Sequence, residues 1–201
     1  MDDKYFDALL NVKTGGGQKG FSSSVHNNRY EPTPYAGLDS LFNHYQLKKT
    51  DRVVDFGCGK GRILFYIHHF FKATVIGVEV DKGLYHDAVQ NRNRYVKKPG
   101  ILKEDIEIHH CAAQEYEINP FDNHFYFFNP FSIQVFKHTV SNILQSNERN
   151  PRGMEIILYY GSTDYTRFLE DNTSFQLKKE IIIPELFAKN TYERFMVYRL
   201  G

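Results

Sequence analysis

The chain has 201 residues, 41% of them hydrophobic, with 25 Lys and Arg against 24 Asp and Glu. That length supports one domain with a substantial core and leaves no room for a second domain of similar size. The balanced charge gives no field for steering a nucleic acid or an anionic membrane, and the two cysteines, Cys58 and Cys111, have no partners at metal-ligand spacing, which argues against a disulfide framework.

Met1-Asp2-Asp3-Lys4 lacks the basic-then-apolar layout of a secretory leader, and no run of about 18 apolar residues follows, so a soluble, cytoplasmic protein is expected. Tyr5 to Val12 has the spacing of a short helix through Phe6, Leu9 and Leu10, and residues 14–24 are rich in Gly and Ser, as a loop is. Within that loop Gly15-Gly16-Gly17-Gln18-Lys19-Gly20 follows no strand and has no G-K-[ST], so it is not read as a phosphate loop. Residues 1–33 are therefore expected to form an extension or lid, and residues 34–201 the domain proper. Thr33 before Pro34 has the form of a helix start, and Tyr35, Leu38, Leu41, Phe42 and Tyr45 give a core-facing stripe reaching about Leu47.

The remainder alternates strand and helix. Arg52 to Phe56 reads as a strand, followed by a glycine turn and a helix with Ile63, Leu64, Ile67, Phe70 and Phe71 on one side. Ala73 to Val78 is a nearly continuous apolar run, the mark of a strand buried on both faces, and Lys82 to Val96 is the next helix, stopped by Pro99-Gly100. Strands are expected at Asp105 to Cys111, His124 to Phe128 and Glu155 to Tyr160, with helices at Phe131 to Gln145 and Thr163 to Asp171. Phe175 to Ile183 and Thr191 to Leu200 then break the alternation and should pair as a hairpin.

The turn after the first strand carries the chemistry. Gly57, Gly59 and Gly61 allow a sharp reversal and a close backbone approach to a ligand. A dinucleotide fingerprint, G-x-G-x-x-G, would need its third glycine where Arg62 stands. Asp55 followed by G-x-G-x-G, with Glu79 ending the next strand, instead resembles the first motifs of the class I S-adenosylmethionine-dependent methyltransferases. The resemblance covers about Thr33 to Gly201. It implies an α/β, Rossmann-like three-layer sandwich: a seven-stranded, mostly parallel sheet of order 3-2-1-4-5-7-6 with a C-terminal antiparallel hairpin. The implied cofactor is S-adenosyl-L-methionine.

On that resemblance Asp55 either fixes the turn by accepting backbone N–H bonds or meets the cofactor's amino end, while Gly57, Cys58, Gly59 and Gly61 line its methionine moiety. Glu79 would hold the ribose hydroxyls, with Val80 and Asp81 near the adenine. The slot after the third strand, usually acidic, falls at Ala112 and Ala113, beside Cys111 and Gln114, and departs from the pattern. Lys60 and Arg62 are expected to point to solvent. Tyr30, Thr33 and Tyr35 are candidates to touch cofactor or substrate, with core packing as the alternative.

Asn129-Pro130-Phe131 looks like a shortened [N/D]-P-P-[aromatic] motif, which implies transfer to an amine or amide nitrogen. Asn129 and the Pro130 carbonyl would accept its N–H bonds and Phe131 would stack on it. The alternative keeps Asn129 as a helix N-cap and Pro130 at the first helical position. A non-catalytic S-adenosylmethionine-binding module or regulatory subunit is the competing function. His68-His69 and His109-His110 cannot each place both rings on one face, so no metal is assigned. Arg92, Arg94, Lys97, Lys98 and Lys103 read as a solvated edge. The acceptor is not identified.

Overall fold

The computed structural model describes residues 3–16 and 29–201. Helix α1 (Asp3–Leu10) and helix α2 (Tyr35–His44) precede the first strand, β1 (Arg52–Phe56). Then follow α3 (Arg62–Phe71), β2 (Thr74–Val78), α4 (Lys82–Tyr95), β3 (Ile106–His109), β4 (His124–Phe128), α5 (Ile133–Arg149), β5 (Glu155–Tyr159), α6 (Thr163–Asn172), β6 (Phe175–Ile182), α7 (Pro184–Phe187) and β7 (Arg194–Leu200). The crossover from β3 to β4 holds only a 3-10 turn at Ala113–Glu115, as its shortness and Pro120 require.

The strands form one sheet of order β3-β2-β1-β4-β5-β7-β6. β1 to β5 pair in parallel, and β7 runs antiparallel between β5 and β6. The register aligns Phe56 with Val78 and Phe127, and Phe128 with Tyr159, so four strands end at one edge. The strand order reverses between β1 and β4, the crevice where open α/β sheets bind ligands.

Alternation along the strands sends successive side chains to opposite layers, which explains two cores. Val53 joins Leu38, Leu41, Leu64 and Ile67 on one face, and Val54 joins Phe136, Val140 and Ile143 on the other. Each such side chain contributes about 1.5–3 kcal/mol when fully buried. Residues 3–16 belong to the first core: Phe6, Leu10 and Val12 are buried there, and Phe6 stacks on Tyr35 at 4.6 Å. Part of the expected N-terminal extension is thus fused to the domain.

Several boundaries differ from expectation. α2 starts at Tyr35 with no side-chain cap, because the Thr33 hydroxyl bonds the Tyr126 hydroxyl at 2.7 Å instead. Phe70 falls off the α3 stripe and is 48% exposed. α5 starts at Ile133, two residues after the expected Phe131, with Ser132 as its N-cap. Among the described residues no helix is long and apolar enough to cross a membrane.

Candidate active site

At the end of β1 the chain reverses through Gly57, Gly59 and Gly61, with φ of 79°, 55° and 84°, a region costly for other residues. The Val78 carbonyl accepts from the amides of Gly57 and Cys58 at 2.9 and 3.1 Å, tying the turn to β2. A Cβ on Gly57 would lie 2.5 Å from Pro130 Cβ, and one on Gly59 only 2.1 Å from the ring of Tyr30. The first glycine therefore admits the loop after β4, and the second presents bare backbone to whatever covers it. The Cys58 side chain is buried against Gly77, and burial pushes its thiol pKa up, so it serves as packing.

The two carboxylates of the motif have distinct surroundings. Glu79, 6% exposed, accepts from the Gly59 amide through Oε2 and from the Asp81 amide through Oε1, each at 2.8 Å. Asp55, 4% exposed, has no hydrogen-bond partner among the described residues and lines a small cleft beside Gly57. Burial, and then the charge of Glu79, push its pKa well above the usual aspartate range. Of the two roles expected for Asp55, bonding the turn's amides is therefore not the one it has; Glu79 does that.

Asp81 caps α4, accepting from the Leu84 amide at 2.9 Å, and Val80 is 44% exposed at the same rim. Past β3, the Ala112 amide donates to Glu115 at 3.2 Å and Ala113 packs into the second core. The Glu79 amide donates to the His109 carbonyl, which holds these two rims together.

Arg62 corrects the solvent-facing expectation, for it is 3% exposed. Its Nε donates to the Thr14 hydroxyl at 2.8 Å, and Nη1 donates to Asp3 at 2.8 Å and to the Thr33 carbonyl at 3.1 Å. The guanidinium lies 4.3 Å over the Tyr35 ring. Lys60 likewise turns inward, donating to the carbonyls of Gly15 and Gly16 at 3.0 and 3.2 Å. Residue spacing could not show this, because both side chains reach back from a turn and a helix start to a segment distant in sequence. Of the basic residues read as a solvated edge, Lys98 donates to the Leu9 carbonyl, and the Arg94 carbonyl accepts from Asn11 at 2.8 Å.

Tyr30 lies over Gly59 with its hydroxyl donating to the Thr14 carbonyl at 2.8 Å. Tyr30, Thr33, Asp55, Arg62 and Phe128 help to line a cleft of about 20 Å³, far below the roughly 300 Å³ of a small-molecule site. Tyr35, proposed from sequence as a substrate contact, is fully buried between Phe6 and Arg62, with its hydroxyl donating to Asp7 at 2.8 Å. It is a core residue.

After β4, Asn129 has φ 38° and Pro130 packs on Gly57. Asn129 is not an N-cap and Pro130 is not a first helical residue, because α5 begins at Ile133. Phe131 departs from the other expectation: it is 6% exposed, edge-on to Phe127 in the second core, and its carbonyl accepts from the Tyr165 hydroxyl. The aromatic side chains at the mouth come from elsewhere. Phe128 lies 6.3 Å from Tyr160, which has φ 53° and lies 5.4 Å from the 40% exposed Tyr192. Among the described residues no group of three His, Cys, Asp or Glu side chains could hold a metal ion.

No family model and no curated protein matches the sequence. Solved structures do match the fold. An RNA methyltransferase from Salinibacter ruber in complex with S-adenosyl-L-homocysteine is 19% identical, covering 84% of this chain and 92% of its own, with TM-score 0.59. The N-terminal domain of human METTL16 in complex with SAH is 12% identical, covering 98% and 78%, with TM-score 0.61. Geranyl diphosphate C-methyltransferase from Streptomyces coelicolor A3(2), with Mg2+, geranyl-S-thiolodiphosphate and S-adenosyl-L-homocysteine, is 13% identical, covering 83% and 76%, with TM-score 0.58. The chain has the Rossmann-like fold of the class I methyltransferases.

Proposed function

We propose that this protein is an S-adenosylmethionine-dependent methyltransferase acting on an amine or amide nitrogen. The observation that carries the reading is Asp55: a carboxylate buried without a partner, at the edge of a glycine turn, in the crevice where the strand order reverses. A buried acid left so is suited to an ammonium group, and the turn offers bare backbone beside it. Glu79 stands behind the turn at the end of β2, where a ribose would lie. Similarity of fold to proteins solved with S-adenosylhomocysteine supports the same cofactor.

These residues fit the cofactor once Tyr30 leaves Gly59. When bound, the cofactor supplies an electrophilic methyl group on a sulfonium. What remains for the chain is to bind, orient and exclude water, and orientation alone can lower a barrier by several kcal/mol. Asn129 and the Pro130 carbonyl, at the end of β4 and against Gly57, would accept the N–H bonds of the acceptor and aim its lone pair. The neighbours named above act on RNA and on a diphosphate ester, so the fold does not select an acceptor.

The burial of Phe131 favours a second reading, a cofactor-binding module without transfer, because the stacking aromatic of the motif is missing from the mouth. The two separate on label from methyl-labelled cofactor incubated with cell extract. The first reading predicts labelled product, and a fall of about 100-fold, some 2.7 kcal/mol, in Asn129→Gly with cofactor affinity unchanged. Glycine suits the φ of 38° at this position, so the variant should fold. A parent protein that binds cofactor and labels nothing supports the module.

A further inference from the structure

Two opposite buried charges face one cleft, and each lacks a partner there. Arg62 has five N–H donors. Nε and Nη1 are engaged by Thr14, Asp3 and Thr33, while Nη2 is buried and bonds nothing. Asp55 is the other group, buried and unbonded among the described residues. Arg62 has its ion pair with Asp3 at 2.8 Å and not with Asp55, yet both line the small cleft next to Gly57. Leaving a charged donor or acceptor buried and unpaired costs more than any hydrogen bond gains, so such groups mark the position of a missing counterpart. An α-amino acid carries both counterparts on one carbon, an ammonium for a carboxylate and a carboxylate for a guanidinium.

We propose that Arg62 receives the α-carboxylate of the cofactor's amino-acid end, as the cationic half of a zwitterion site whose anionic half is Asp55. This rests on the cofactor reading above and adds to it a residue that no motif comparison assigns. The guanidinium suits the role because its outer N–H groups lie in a fixed plane and it stays charged when buried. Thr14, Asp3, Thr33 and the Tyr35 ring hold that plane still, which makes residues 3–16 part of the binding apparatus. The Tyr30 hydroxyl, bonded to the Thr14 carbonyl, sits beside the same cleft and moves with its ring when the site fills.

The test is calorimetric titration of the intact chain with S-adenosylhomocysteine and with its decarboxylated form, the same molecule lacking the carboxylate. The parent should prefer the carboxylate form by about 10- to 100-fold, the worth of a hydrogen bond to a charged group. Arg62→Met should bind both forms with affinities within about threefold, its affinity for the decarboxylated form matching the parent's, and Arg62→Lys should recover part of the preference. A purely structural Arg62 would weaken both ligands together and leave the ratio intact. The parent ratio needs no variant, so a misfolded Arg62→Met does not blunt the test. Equal binding of the two forms by the parent overturns the role of Arg62 while leaving the cofactor reading standing. Binding of neither removes both.

Discussion

Asp55 is the residue whose burial has the clearest consequence for stability. Its pKa is raised in the folded chain, first by desolvation and then by Glu79, so the folded state holds that proton more tightly than the unfolded state does. Stability linked to it therefore falls as pH climbs above about 4 towards the raised folded value, and stays reduced beyond it. Asp55→Asn removes the charge and should raise the Tm at about pH 8 relative to the parent, while weakening S-adenosylhomocysteine by roughly 10- to 100-fold. A lower Tm at that pH, or unchanged affinity, would contradict the role given to this carboxylate. At this scale the sequence showed where the turn and its acids stand, since those follow from spacing. It did not show that Glu79 would bond Gly59, that Arg62 would turn inward or that Phe131 would turn into the core, because each depends on which long-range neighbour the side chain meets.

Among the elements, the segment from Tyr30 to Thr33 and the loop from Asn129 to Ser132 control the cleft. Thr33 and Asn129 both looked like helix caps, since a polar residue before proline is a common helix start. Tertiary contacts decided otherwise: Thr33 bonds Tyr126, and packing of Pro130 on Gly57 defers α5 to Ile133. Tyr30 lies where a ligand must approach Gly59, and the chain contains no Trp, so Tyr30→Trp provides a single fluorophore at that contact. Titrating the variant with S-adenosylhomocysteine should shift its emission along the isotherm that calorimetry gives, as the indole leaves the turn. Calorimetric binding with constant emission would show that this cover does not move.

For the whole molecule, the sheet order was legible because β1, β2, β4 and β5 are short apolar runs separated by helical periods, and the closing hairpin breaks that alternation. The attachment of residues 3–16 was not legible. Its anchors are single contacts, such as the Lys13 amide donating to Asn91 at 2.9 Å and Asp3 paired with Arg62, and these carry no periodic signal. With Lys and Arg at 25 and acids at 24, the charge balance provides no steering field, so recognition must lie in the cleft itself. The central claim is that the glycine turn, Asp55 and Glu79 form a site for S-adenosylmethionine and its product, and for no dinucleotide. Calorimetric titration of the intact chain with S-adenosylhomocysteine and separately with NAD tests it most directly. The account predicts a Kd in the low micromolar range or tighter for the first, about 8 kcal/mol, and no measurable heat of binding for NAD; a chain that bound NAD and not S-adenosylhomocysteine would contradict it.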